Sequence, residues 1–491
     1  MKLEEAVAAI DVGSGAVKGV VLGQDGRLWA EHTVTLETQK PLPGHAEQDP
    51  LSWWAALEEI CRAWASAGVP LAQLRALVLT GQMQTVVLSQ GGQPTGPALL
   101  YSDVRATTEA AELEAILGDA RLGDVAAQTG NPSTAASVLP KVLWLRQHAP
   151  YRLTGLPHLH VGAKDMLIEQ LTGVHLTDHT TAATTGLYDL RANRWHRNWP
   201  QRLGLNLALP ALRWPSELAG RIQAREATRL GLPAGLPVLT GLGDAGATTL
   251  GAGIGQPGER YAYLGTSGWL GTVIRDLERP ASGFRLPLLE PGPVLAVAPL
   301  TNAGSVHQWA ANVFAAGDYQ QLERLMNQVI STDLICLPYL AGERSPVQDP
   351  HARGVFLGVG PETSPGTLAR AVLEGVAYAL RATAEGQNEA PVGPLPLLGG
   401  GSRSAVWCQI LADVFRTPVK VPARASLLPV LGAASTAFVY LGWTPSYAAY
   451  RSDILSDKGD AIFRPDSERA DQHDRQFIRF QRLYPAVRNL F

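Results

Sequence analysis

A strand–loop–strand unit occurs twice in this chain, and its recurrence narrows the fold more than any other feature. Near the start, Ala6 to Ile10, Val17 to Leu22 and Leu28 to Val34 read as short strands rich in apolar and β-branched residues. Gly13-Ser14-Gly15 and the Asp25-Gly26 turn join them into a small antiparallel meander. In the second half, Tyr261 to Leu264 and Trp269 to Ile274 flank the loop Gly265-Thr266-Ser267-Gly268. A meander that returns predicts duplicated domains, with the boundary near residue 254, just before Pro257-Gly258. The expected domains are therefore 1–253 and 254–491. Length agrees, because 491 residues exceed what one hydrophobic core serves, and 46% hydrophobic residues supply a core for each half.

After the first meander, helical stretches alternate with short apolar runs, such as Ser52 to Ala67 followed by Leu74 to Thr80. That alternation predicts an α/β sheet. Asp49 is placed to cap the first of these helices, with Pro50 in its first turn and Trp53 and Trp54 packing inward. Leu368, Val372, Val376 and Leu380 fall at helical spacing, which leaves Arg370, Glu374 and Arg381 on the opposite, solvated face. The most apolar later stretch, Leu427 to Trp443, is interrupted by Pro429, Gly432 and Gly442 and falls short of the ~20 residues a membrane span needs. It reads as a buried helix, and the polar tail after Tyr450 as a surface helix or a mobile end.

The charge balance excludes some functions. Against 44 Asp and Glu stand 41 Lys and Arg, without the basic surplus of a protein that tracks nucleic-acid phosphates. Cys61, Cys336 and Cys408 are odd in number, widely spaced and set in apolar surroundings, which predicts core thiols. The opening MKLEEAVAAIDVGSG places acids where a secretory signal carries positive charge. A cytoplasmic location is the expectation.

Several segments carry candidate chemistry. Asp11-Val12-Gly13-Ser14-Gly15-Ala16-Val17-Lys18 sets a carboxylate at a strand end, then glycines whose backbone N–H groups can approach an anion, then a hydroxyl and a lysine. An ordinary tight turn explains the same run. Gly265-Thr266-Ser267-Gly268 would face it if the halves fold alike. Gly399-Gly400-Gly401-Ser402 follows the apolar run Leu395 to Leu398 and precedes a helix from Ser404 to Phe415; its glycines admit either a flat base and ribose or close helix packing. Asp244, alone among small residues in Gly241-Leu242-Gly243-Asp244-Ala245-Gly246-Ala247, suits a base beside a substrate, or equally an N-cap for a helix starting at Ala245. His160, His175 and His179 have no metal-ligand spacing.

In this order, the segments resemble the FGGY family of carbohydrate kinases over nearly the whole chain, to about residue 445. The most specific pieces are Gly81-Gln82-Met83, Tyr101-Ser102-Asp103-Val104-Arg105, Pro140-Lys141-Val142-Leu143-Trp144, Gly265-Thr266-Ser267-Gly268, and Gly342-Glu343-Arg344-Ser345-Pro346 with Asp349-Pro350 and Ala352-Arg353-Gly354. The resemblance implies an α/β fold of two duplicated actin-like (ribonuclease H-like) ATPase domains, with ATP in the cleft between them. Under it the N-terminal domain carries the sugar and the base, and the C-terminal domain the nucleotide. It implies that Asp244 is the catalytic base and that Asp11 orients Mg²⁺ through water. Ser14, Gly15 and Lys18 match the first phosphate loop, Gly265 and Thr266 the second, and Gly304, Gln308, Gly400 and Gly401 further nucleotide contacts. Met83, Gln84 and Asp103 fall where the family holds the sugar, whereas Glu343, Arg344 and Asp349 are read as shaping a loop.

Within the family the pattern is closest to xylulose kinases, so ATP-dependent phosphorylation of a pentulose, D-xylulose to its 5-phosphate, is the expected reaction. Two positions depart from that subgroup, which typically carries His where this chain has Gln84 and Asn where it has Ala245. Ala245 offers no hydrogen bond to a sugar hydroxyl. The stretch from Asp178 to Asp189 is also similar to gluconate kinases, making gluconate or another polyol or ketose the alternative. A non-catalytic actin-like, sugar-responsive protein would be expected to add a further module, and none is recognised. The expected partner is a small sugar, with no nucleic acid and no membrane; a homodimer is compatible with the family.

Overall fold

The apolar meander seeds the first of two sheets. The structure, a computed structural model, describes residues 5–118, 121, 123–277, 283–330, 332–455 and 459–491. Strands β1 (Ala6–Val12), β2 (Ala16–Gly23), β3 (Leu28–Thr35), β4 (Leu74–Gly81), β5 (Leu218–Arg221) and β6 (Pro237–Gly243) form a six-stranded sheet in the order β5-β6-β4-β1-β2-β3. The second meander supplies β7 (Arg260–Leu264) and β8 (Gly268–Ile274), joined by β9 (Val294–Leu300), β10 (Leu395–Leu398), β11 (Val419–Val421) and β12 (Ala461–Phe463). These run in the order β9-β8-β7-β10-β11-β12 within a seven-stranded sheet.

The two orders are the same frame. β1 pairs antiparallel with β2 and parallel with β4, β4 parallel with β6, and β6 antiparallel with β5. In the second sheet β7 pairs antiparallel with β8 and parallel with β10, β10 parallel with β11, and β11 antiparallel with β12. The duplication expected from the meanders therefore extends to both sheets.

The chain divides into two units that are not linear halves. The first holds the described residues of Met1–Gly255, Arg285–Val294 and Ser426–Ser456; the second holds those of Gln256–Phe284, Leu295–Ala425 and Asp457–Phe491. The expected division at 253/254 lies close to the first crossing at Gly255, but two later segments return to the first unit. Helix Leu428–Tyr440 explains one return. It is apolar on nearly every side and packs on β1, β4 and helix Asp244–Gly251 within the first unit's core. Two glycines permit the close crossing, since a Cβ at Gly432 would run into the Ala247 carbonyl and one at Gly251 into the Leu428 carbonyl.

The other face of the first sheet is covered by helix Pro50–Ser66. Asp49 caps it, its carboxylate accepting from Leu51 N at 3.0 Å, and Trp53, Trp54, Leu57, Ile60, Cys61 and Trp64 are buried.

In the second unit, helix Pro365–Gln387 buries Leu373, Val376 and Leu380 as its periodicity requires. The expectation that Arg370 and Glu374 face solvent is wrong. Both are buried, and Arg370 Nε donates to Glu374 Oε1 at 2.9 Å. Neighbouring elements surround the helix on its polar side too, so those charges pair internally. Burial pushes the Glu374 carboxyl up to about 7, against the pull of Arg370. The polar tail is a surface-lying helix, Ser467–Val487, which sinks Phe477, Phe480 and Leu483 into the second core. All three cysteines are buried. Among the described residues, no helix is long and apolar enough to cross a membrane.

Candidate active site

Two carboxylates sit at the ends of strands in the first sheet. Asp11 stands one residue from the end of β1, opposite Lys18 of β2 and beside Thr80 of β4. Its Oδ1 is buried and has no hydrogen-bond partner. Burial pushes its carboxyl up to about 6, with Lys18 opposing. Asp244 opens helix Asp244–Gly251 directly after β6, and Gly243 is the N-cap. The capping alternative for Asp244 is thereby removed: its carboxylate accepts from the adjacent Ala245 N, at 2.8 Å. Burial raises the Asp244 carboxyl to about 7, the charge of Asp11 adds to the rise, and the Ala245 N–H opposes it. A carboxylate with that proton affinity suits base chemistry near neutral pH.

The β1–β2 loop is braced from behind. Gly13 N donates to Ala16 O at 3.0 Å, and the Ser14 carbonyl accepts from Gln48 Nε2 at 2.6 Å and Thr38 Oγ1 at 3.3 Å. A Cβ at Gly15 would meet nothing within 4 Å, so the loop is open on that side, and the Gly15 carbonyl accepts from Leu36 N at 3.0 Å. Lys18 Nζ donates to Ser426 O at 2.5 Å.

Of the three expected sugar residues, Met83 packs on the end of β6, the strand that leads into the base. It is buried against Gly243, the residue before Asp244, where a Cβ would strike its Cγ at 2.5 Å and Thr181 Oγ1 at 2.9 Å. Gln84 holds a left-handed backbone, φ 52°, and its Nε2 reaches Thr184 O at 3.4 Å. Asp103 is fully buried, and its oxygens accept from Ala46 N at 2.7 Å and from Arg105, whose Nη2 also reaches Glu47 at 2.6 Å. Its carboxylate is therefore engaged within the protein.

In the second unit the glycine-bearing loops converge. Gly304 N donates to Gly265 O at 2.7 Å, and Ser305 N to Thr266 O at 2.9 Å. A Cβ at Gly399, whose φ is 86°, would meet Leu264 O at 2.6 Å, and one at Gly401 would meet Leu264 Cβ at 2.7 Å. Gly265, Thr266, Gly304, Gly400 and Gly401 are thus neighbours, with Gln308 exposed one turn along helix Gly304–Ala315. Glu343 holds this arrangement from below, accepting from Thr301 N at 2.5 Å, Arg344 N at 2.8 Å and Asn302 Nδ2 at 3.0 Å. Asp349 accepts from Tyr484 OH at 2.8 Å. The loop-shaping reading of these acids agrees with that geometry.

Sequence reasoning missed the support behind Asp244. Asp178 Oδ1 accepts from Thr181 N at 2.9 Å and Gly243 N at 3.4 Å, and its Oδ2 from Thr181 Oγ1 at 2.6 Å. Lys164 Nζ lies 2.9 Å from both Asp165 Oδ1 and Asp178 Oδ2. Burial works against the Asp178 charge, but Lys164 and the Thr181 donors together outweigh it, holding this carboxyl below its ordinary value. No local spacing signals the trio. His158, His160 and His175 instead gather around Glu169, with His158 Nδ1 2.6 Å and His160 Nε2 3.0 Å from its oxygens.

Residues 6–251 match the family model for the FGGY family of carbohydrate kinases, N-terminal domain, and residues 261–441 that for its C-terminal domain. The chain belongs to the FGGY family of carbohydrate kinases. It is 31% identical to the xylulose kinase of Escherichia coli (strain K12) over 488 residues, 97% of this chain and 98% of that one. The crystal structure of xylulose kinase from Rhodospirillum rubrum matches with a TM-score of 0.89 at 28% identity, covering 99% of each chain. Gluconate kinase from Lactobacillus acidophilus shares the fold, with a TM-score of 0.86 at 23% identity over 98% of each chain. The two-unit architecture is that of sugar kinases of the actin-like ATPase fold. This FGGY kinase is a carbohydrate phosphotransferase, with ATP as its co-substrate.

Proposed function

We propose that this FGGY kinase phosphorylates a pentulose, D-xylulose to its 5-phosphate, with Asp244 as general base. The observation that carries the reading is the Asp244 carboxyl at the end of β6, raised by burial to about 7 and directly following Gly243, against which Met83 packs. The likeness to xylulose kinases over nearly the full chain supports the substrate class.

In this reading Met83, Gln84 and Asp103 place the sugar in the first unit. Asp244 accepts the proton of the attacking hydroxyl as the new O–P bond forms and ADP leaves. Backbone N–H groups at Ser14 and Gly15, the Lys18 ammonium, and the loops at Gly265 and Thr266 hold phosphates. Gly304, Gln308, Gly400 and Gly401 hold the rest of the nucleotide. Such positioning and charge stabilisation are most of what phosphoryl transfer asks of a protein.

The donor set also suits Mg²⁺. Asp11 Oδ1 is buried without a hydrogen-bond partner, and the Asp11 charge adds to the rise of the Asp244 carboxyl. Asp11 would hold the ion through water, and the bound ion would neutralise phosphate charge.

A coupled ADP-release assay across pentuloses, polyols, hexuloses and aldonates tests the substrate. The highest kcat/KM is expected with D-xylulose. A higher value with gluconate, or no turnover with any pentulose, overturns the assignment.

A further inference from the structure

Lys141 lies on helix Val138–His148 and is fully buried. Its Nζ donates to the Gln84 carbonyl at 3.0 Å and to the Leu100 carbonyl at 2.5 Å. Leu100 O also accepts from Asp103 N at 3.0 Å. One side chain therefore ties together the turn bearing Met83 and Gln84 and the loop bearing Asp103. These are the two segments assigned to the sugar.

The tie falls where the backbone needs holding. Gln84 is a non-glycine residue at φ 52°, a conformation that persists only when its surroundings fix it. Thr184 O receives its side chain, and Lys141 grips its carbonyl. A buried amine is otherwise a poor filler for this space. Burial pushes Lys141 down to about 7, with Asp103 raising it and Arg105 lowering it. Either protonation state carries at least two N–H groups, enough for two carbonyls. A methionine would fill the same length but donate to neither.

We propose that Lys141 is a positioning residue of the acceptor site, clamping the Gln84 and Leu100 carbonyls so that both sugar-bearing segments keep one spacing. The inference rests on the sugar lying at Met83 and Gln84, as argued above. Lys141 itself touches no reacting atom. Its loss should loosen substrate and transition state alike, which raises KM and spares kcat.

The test compares Lys141→Met, which removes both donors, with Lys141→Gln, which keeps a shorter amide donor. Both are measured on the full chain with the sugar that the parent phosphorylates best, so a wrong substrate class changes the reference sugar and not the KM ratio. The expected result is a rise of about tenfold in sugar KM for Lys141→Met and a smaller rise for Lys141→Gln. The KM for ATP should stay within about twofold and saturated kcat within about threefold of the parent. A folded Lys141→Met with the parental sugar KM overturns the proposal, as does a fall in kcat or an equal rise in the KM for ATP. If Lys141→Met gives no cooperative melt, Lys141→Gln decides by the same criteria. Failure of both to fold would overturn the positioning role and leave a purely structural one.

Discussion

Replacing Asp244 with Asn should cost activity and add stability, and the second effect should depend on pH. In the folded chain the carboxyl titrates at about 7, whereas in an unfolded chain it titrates near 3.8. Between those values the folded state holds a proton that the unfolded state has released. Stability from this group is therefore greatest below pH 3.8 and is lost as pH rises towards 7. At 1.36 kcal/mol per pH unit, the loss between pH 5 and pH 7 is roughly 2 to 3 kcal/mol, levelling off above the folded value.

The amide introduced by Asp244→Asn cannot ionise, so the variant escapes that loss. Its melting temperature relative to the parent should rise by several degrees between pH 5 and pH 8, taking about 2 to 4 °C per kcal/mol for a domain of this size. Turnover with the best sugar should fall by about 10² to 10⁴, the usual worth of a positioned base. Thermal melts at the two pH values, run beside kinetics, check both. Equal melting differences at pH 5 and pH 8, or a variant less stable than the parent at pH 8, would refute the electrostatic reasoning. Near-parental turnover would refute the base assignment.

Asp11→Asn removes the neighbouring charge that lifts Asp244, so the acid limb of the kcat–pH profile should move below about pH 7; an unmoved limb refutes the coupling. The double change Gln84→His with Ala245→Asn should raise kcat/KM for D-xylulose relative to other accepted sugars by about tenfold or more, since one restored hydrogen bond to a buried hydroxyl is worth about 1 to 3 kcal/mol; competition between sugars reads the ratio directly. Gly432→Ala, which helix propensity alone would favour, should instead lower the melting temperature, because its Cβ meets the Ala247 carbonyl and overpacking costs about 1 to 3 kcal/mol. Turnover should fall with it, as the displaced helix carries Asp244, and a stabilised variant would show that the two helices do not cross so closely.

What the sequence made legible was local. Each meander strand lies within about two residues of its expected bounds, because apolar runs and Gly-rich turns act over a few residues. The apolar stretch from Leu427 was legible as a buried helix, but its partner was not, since nothing in its composition says that it returns to helix Asp244–Gly251. Arg370 and Glu374 show the converse failure. Their spacing reads as a solvated face, yet the pair is internal, a fact fixed by what packs around the helix. The two readings of Asp244 were separated only by the backbone, which gives the N-cap to Gly243. Lys141 and Gln84 are 57 residues apart, and no periodicity connects them.

The duplicated frame also shows where the chemistry diverges. Counting outward from each hairpin loop, the second cross-strand pair is Asp11 with Lys18 in the first sheet and Tyr263 with Trp269 in the second. The charged pair is thus matched by an aromatic stack, with ring centroids 3.9 Å apart. One feature is common to both copies. The strand parallel to the hairpin ends in Gly81 in the first sheet and is followed by Gly399 in the second; a Cβ would meet Val12 O at 2.8 Å in one and Leu264 O at 2.6 Å in the other. Any larger residue would push that strand end off the hairpin, so each sheet needs glycine there for a backbone reason. The side chains opposite are under no such constraint. That freedom lets one copy keep a carboxylate and an ammonium at its loop, while its twin presents backbone and glycines on the same frame.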